Sequence, residues 1–103
     1  MGRLVKVAET KEVPPGTAIA VDLEGRAVAL FNVDGRFYAI DDTCTHRGGP
    51  LSKGDLDGTV VTCPFHGARF DVTTGQVLGP PAAEGVARYD VRVEGEDVEI
   101  EMP

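Results

Sequence analysis

Glu24-Gly25-Arg26-Ala27-Val28-Ala29-Leu30 and, ten residues further on, Asp34-Gly35-Arg36-Phe37-Tyr38-Ala39-Ile40 are two renderings of one pattern. Each opens on an acidic residue followed by Gly, the pair that turns a β-hairpin, and continues as an apolar strand. Two such copies in succession predict an antiparallel meander; two are too few for a solenoid. Toward the N-terminus, Arg3 to Glu9 reads as a further strand, ended by the break at Pro14-Pro15-Gly16. Toward the C-terminus, Tyr89, Val91 and Val93 alternate with Arg88, Asp90 and Arg92. Glu94-Gly95 then turns the chain, and Val98, Ile100 and Met102 alternate with Asp97, Glu99 and Glu101. A period of two along both arms predicts one buried and one wet face. No window of a dozen residues carries a helical period, so the chain reads as all-β.

Between these flanks the character changes. From Asp41 to about Glu84 the sequence is rich in Gly, Pro, Thr and Asp, with short strands such as Thr59 to Thr62. We therefore expect a single domain over residues 1–103, in which segments 1–40 and 85–103 build a sheet scaffold around a subdomain at about 41–84. A chain of 103 residues holds one modest core, and domains of this size often gain stability from a metal site.

The 10 basic and 17 acidic side chains give a net charge of −7, which argues against nucleic acid or an anionic membrane surface as partner. The longest apolar run, Ala27 to Phe31, is far short of the roughly 20 residues that span a bilayer. The N-terminus has no charged-then-apolar leader pattern, and the expected location is the cytoplasm. Asp41, Asp42, Asp55 and Asp57 sit among glycines and read as solvated loop formers.

The middle segment contains every Cys and His of the chain: Cys44-Thr45-His46, then sixteen residues, then Cys63-Pro64-Phe65-His66. A disulfide between the two cysteines would be unusual in a reducing cytosol, and it would not need a histidine beside each one. Two Cys and two His can close a tetrahedral zinc site. The usual finger, however, pairs its cysteines on one arm and its histidines on the other, whereas here each arm carries one of each. A binuclear cluster suits mixed arms better, each arm giving its Cys to one iron and its His to the other. With all four thus engaged, no thiol or imidazole is left as nucleophile or base, and no catalytic residue is expected.

The runs Cys44-Thr45-His46-Arg47-Gly48-Gly49-Pro50-Leu51 and Cys63-Pro64-Phe65-His66-Gly67-Ala68-Arg69-Phe70-Asp71 closely resemble the two cluster loops of Rieske proteins. Gly79-Pro80-Pro81 resembles the family's third, proline-containing loop. The resemblance implies the Rieske fold of stacked antiparallel sheets with an inserted cluster-binding subdomain. It implies one [2Fe–2S] cluster per chain, with Cys44, His46, Cys63 and His66 as ligands, the histidines at an exposed tip and the cysteines buried. Electrons would leave through His46 or His66. Gly48, Gly49 and Gly67 would let backbone N–H groups approach the sulfurs, and Pro64, Pro80 and Pro81 would stiffen the loops.

High-potential Rieske proteins resemble this motif but carry an additional Cys in each loop, where this chain has Gly49 and Phe65. They also present a Ser and a Tyr hydroxyl to the sulfurs, where Ala68 and Phe70 stand here and can donate nothing. Fewer hydrogen bonds leave the reduced cluster less stabilised, toward the lower end of the range of about −150 to +300 mV. The chain thus resembles the low-potential ferredoxins that serve ring-hydroxylating oxygenases. That resemblance implies a soluble one-electron carrier, with a flavin-dependent ferredoxin reductase and a terminal oxygenase as partners. Two alternatives remain at this level: the small Rieske subunit of an assimilatory nitrite reductase-like complex, and a zinc-stabilised binding module.

Overall fold

Both acidic–Gly pairs turn as their composition requires. Glu24 and Gly25 take φ of 50° and 94°, and Asp34 and Gly35 take 52° and 91°. Two successive left-handed residues form the type I′ geometry that matches the twist of the strands it joins. Two residues before each turn a side chain fastens it: Asp22 Oδ1 accepts from the Gly25 N–H at 2.8 Å, and Asn32 Oδ1 from the Gly35 N–H at 2.7 Å. The near-repeat is thus one structural device used twice, joining β2 (Ala18–Leu23) to β3 (Arg26–Val33) and β3 to β4 (Arg36–Asp41).

The computed structural model describes residues 3–43, 50–64, 67–79 and 85–102. The remaining described strands are β1 (Arg3–Glu9), β5 (Asp55–Asp57), β6 (Val60–Thr62), β7 (Arg69–Asp71), β8 (Val77–Gly79), β9 (Arg88–Tyr89), β10 (Val91–Glu94) and β11 (Asp97–Met102). They form three antiparallel sheets ordered β1-β11-β10, β2-β3-β4-β9 and β5-β6-β7-β8. Single 3₁₀ turns lie at Thr10–Glu12 and Leu51–Lys53. Among the described residues no helix is long and apolar enough to cross a membrane.

The sheet β2-β3-β4-β9 is the middle layer of three. Val28 and Leu30 pack with Leu23, Val98 and Ile100 on the side of β1-β11-β10, while Ala29 and Phe31 pack with Val61, Phe70 and Val72 on the other side. This accounts for the unbroken apolar run from Val28 to Phe31, all of it buried: a strand covered on both faces has no wet face to alternate with, while Ala27 at its start is exposed. Strand β11, the central strand of its sheet, keeps its alternation, with Val98 and Ile100 fully buried.

The C-terminal arm departs from the expected simple hairpin. Arg88–Tyr89 pairs with β4, and only Val91–Glu94 pairs with β11, so the chain changes sheets at Asp90. The two-residue loop is Gly95-Glu96, one position later than the expected Glu94-Gly95, with Gly95 at φ 62°. Tyr89 is buried as alternation requires, but Val93, one rung from the loop, is 43% exposed. Its partner on that rung, Val98 of β11, is fully buried, so the buried face fades across the sheet toward its edge strand β10 and not along it.

Candidate functional site

One rung of the sheet β5-β6-β7-β8 gathers the segments that the sequence singled out. Asp55 pairs with Thr62, Thr62 with Arg69, and Arg69 with Gly79. From this end β6 runs into Cys63, β7 is entered from Gly67-Ala68, and β8 exits toward Pro80. β5 is entered from Pro50–Gly54, the return of the first arm. All three loop stems therefore emerge at the same edge of one small sheet.

Each stem is closed by backbone bonds. The second arm is pinched where the Cys63 N–H donates to the Ala68 carbonyl at 2.7 Å. Gly67 makes this closure possible with φ +77°, a conformation L side chains resist, and a Cβ there would meet no described atom within 4 Å. Gly67 is thus a turn glycine by its backbone angle, not by close approach to protein. The first arm is pinched by a bridge between Thr43 and Pro50 and by the Leu51 N–H donating to the Asp42 carbonyl at 2.7 Å. Asp42 Oδ1 also accepts the Ser52 N–H at 2.7 Å. With 7% of its surface exposed, Asp42 is a buried cap of the 3₁₀ turn and not the solvated loop former expected from its neighbours. Asp55 and Asp57 are exposed, in line with that expectation.

The two arms are pressed together at Gly54, where an added Cβ would lie 2.1 Å from the Thr62 carbonyl oxygen. Leu51, Cys63, Ala68 and Phe70 share one core cluster, and Cys63 is only 2% exposed. A thiolate is costly in such apolar surroundings unless a metal takes up its charge, so the position suits a cluster ligand. Ala68 and Phe70 are fully buried beside it. Cys44, His46 and His66 lie outside the described residues, as do Arg47, Gly48, Gly49, Phe65, Pro80 and Pro81.

A polar chain that the sequence did not reveal joins the scaffold to this region. The Arg26 guanidinium donates to the Tyr89 hydroxyl at 3.0 Å, and that hydroxyl donates to Asp41 Oδ1 at 2.5 Å. Burial, reinforced by the carboxylate of Asp41, raises the Tyr89 phenol above its ordinary range, while Arg26 pulls the other way. Tyr89 therefore stays a donor at neutral pH. Contacts between residues 48 positions apart leave no local sequence signal.

A model of the Rieske [2Fe–2S] domain matches residues 3–90. The chain belongs to the Rieske family. It is 46% identical over 98 residues to the biphenyl dioxygenase ferredoxin subunit of Pseudomonas sp. (strain KKS102), covering 94% of this chain and 90% of that one. Among solved structures, the ferredoxin of carbazole 1,9a-dioxygenase from Nocardioides aromaticivorans IC177 superposes with a TM-score of 0.91 at 32% identity, over 94% of this chain and 95% of that chain. A ferredoxin in a structure described as a complex of reduced oxygenase and oxidized ferredoxin in carbazole 1,9a-dioxygenase gives 0.88 at 38% identity, over 94% and 91%. The Rieske chain therefore carries one [2Fe–2S] cluster and is an electron-transfer protein, not a catalyst. Membership removes the zinc-module alternative. It also agrees with the three stems meeting at one sheet edge around a buried cysteine.

Proposed function

We propose that this Rieske chain is a soluble cytoplasmic ferredoxin that takes single electrons from a flavin-dependent ferredoxin reductase and delivers them to a terminal oxygenase. The 46% identity to a dioxygenase ferredoxin subunit along nearly the whole chain carries this reading, and favours it over a fixed nitrite reductase subunit. Residues 1–103 form one domain, with the cluster-binding subdomain at about 41–84 and the scaffold at 1–40 and 85–103. Cys44 and Cys63 hold one iron, and His46 and His66 the other. Arg47, Gly48, Gly49, Phe65, Gly67, Ala68, Phe70 and Pro80 surround them. The cluster supplies a one-electron couple; the protein's part is to bury the thiolate side, stiffen the loops and leave the histidine side for docking. With NADH and a reductase of this kind, the purified protein should take up one electron per chain and return to the oxidised state when mixed with a ring-hydroxylating oxygenase. Failure of either half-reaction would remove the carrier assignment.

The low potential follows from two side chains. Ala68 and Phe70 are fully buried in the cluster of residues that contains Cys63, and neither carries a hydroxyl. The pair Ala68→Ser, Phe70→Tyr should raise the midpoint potential by about 60 mV for each hydrogen bond that strengthens tenfold on reduction. Protein-film voltammetry reads this directly. An unchanged or lower potential with the cluster intact contradicts the hydrogen-bond explanation.

A further inference from the structure

Asp41 ends β4 and stands three residues before Cys44 in the sequence. Both oxygens of its carboxylate are engaged: Oδ1 accepts the Tyr89 hydroxyl at 2.5 Å, and Oδ2 accepts the Ala87 N–H at 3.3 Å. Its own N–H donates to the Ala87 carbonyl at 2.9 Å. Ala87 belongs to a strap, residues 85–88, that grips the cluster-bearing sheet on its other side. There the Val86 N–H donates to the Gly75 carbonyl at 2.8 Å, and Arg88 Nε to the Thr73 carbonyl at 3.1 Å. The contact is tight, since a Cβ on Gly75 would come within 2.2 Å of the Val86 oxygen.

Asp41 is thus a junction of three parts: the stem of the first arm, the strap and, through the strap, the β7–β8 turn. The Tyr89 hydroxyl, on a residue 5% exposed, lies between a cation and an anion in a part-buried site, so each hydrogen bond polarises the other. We propose that Arg26, Tyr89 and Asp41 form a latch that holds the stem of the first cluster arm in register with the sheet bearing Cys63, making Tyr89 and Asp41 positioning residues for the cluster. This latch presupposes the cluster assigned above. None of its three members is a ligand.

Tyr89→Phe deletes one oxygen and keeps the ring in the core. In the purified holoprotein it should speed transfer of iron to an external chelator by roughly tenfold, the factor that one charge-assisted hydrogen bond is worth. Amide exchange at Asp41 and Ala87 should rise by a similar factor. Asp41→Asn, which keeps an acceptor for the phenol but offers no second oxygen to Ala87, should fall between the two proteins. Val98→Ala serves as the comparison, because it loosens the core cluster that also holds the Tyr89 ring and removes no hydrogen bond of the latch. If Tyr89→Phe releases iron no faster than Val98→Ala, the latch is overturned and Tyr89 is merely part of the core. Wild-type protein with no iron to release would instead overturn the cluster assignment. Exchange at Asp41 and Ala87 would then decide the latch independently, unchanged exchange counting against it.

Discussion

Replacing His66 by Ala is expected to abolish the Rieske electron paramagnetic resonance spectrum and reduce bound iron and sulfide to near zero per chain. Each arm supplies one Cys and one His, so loss of either imidazole leaves one iron short of a ligand while both thiolates still grip the other. The chain has no further His or Cys to take the vacant place, since two of each are all it contains. The apoprotein should still fold. His66 is in none of the described strands, and the neighbouring stem is closed without it by the bond from Cys63 to Ala68 and by the pairing of Thr62 with Arg69. Far-ultraviolet circular dichroism of the wild-type sheet type, with the spectrum and the metal gone, is the expected pair of observations. His46→Ala should give the same result. A normal Rieske signal in either variant would refute the ligand assignment.

What the sequence disclosed and what it withheld divide along physical lines. Patterns set by neighbours in sequence were readable. The Glu24-Gly25 and Asp34-Gly35 turns follow from residues that tolerate positive φ, and the strand at Arg3–Glu9 was legible to the residue. The two cluster arms announced themselves because donor chemistry at fixed spacing is local information. Features set by distant neighbours were not readable. Nothing beside Tyr89 says that its hydroxyl meets Asp41, and nothing beside Val93 says that it lies on an edge strand. Asp42 misled for the same reason: its burial depends on a 3₁₀ turn ten residues later whose N–H it caps. The glycines divide likewise. Gly67 was singled out for close approach to the cluster, yet its backbone angle already requires glycine. Gly54, which does allow close approach between two chain segments, has nothing beside it in the sequence to mark it.

Gly54→Ala is therefore the most informative single methyl that can be added to this protein. The backbone at Gly54, with φ −79° and ψ 177°, is extended and open to any residue, so alanine meets no conformational penalty. By its effect on the unfolded chain alone, the change would stabilise by about 0.4–1 kcal/mol. Contact decides the opposite. The new Cβ would lie 2.1 Å from the Thr62 carbonyl oxygen and 3.2 Å from that of Leu51, and neither is a flexible side-chain end that can swing away. Thr62 is fixed on both sides by its pairing with Asp55 and Arg69, the rung at which the cluster stems meet. Relief requires moving the return of the first arm away from the strand that leads into Cys63. Overpacking of this kind costs about 3 kcal/mol at the upper end of its usual range, which corresponds to a loss of about 10 °C or more in Tm for a domain of this size. Iron content should fall as well, because the displaced segment separates the arms. Gly58→Ala supplies the contrast: at φ +61° with no atom within 4 Å of the added Cβ, it carries only the left-handed penalty of about 1–2 kcal/mol and leaves the arms in place. Calorimetry and iron analysis on the two variants separate the effects. A Gly54→Ala protein that melts within two or three degrees of wild type, by about that margin, with full iron would show that the arms do not depend on this contact. If Gly58→Ala loses stability but keeps its iron while Gly54→Ala loses both, cluster retention depends on how closely the two stems meet and not on sheet stability alone.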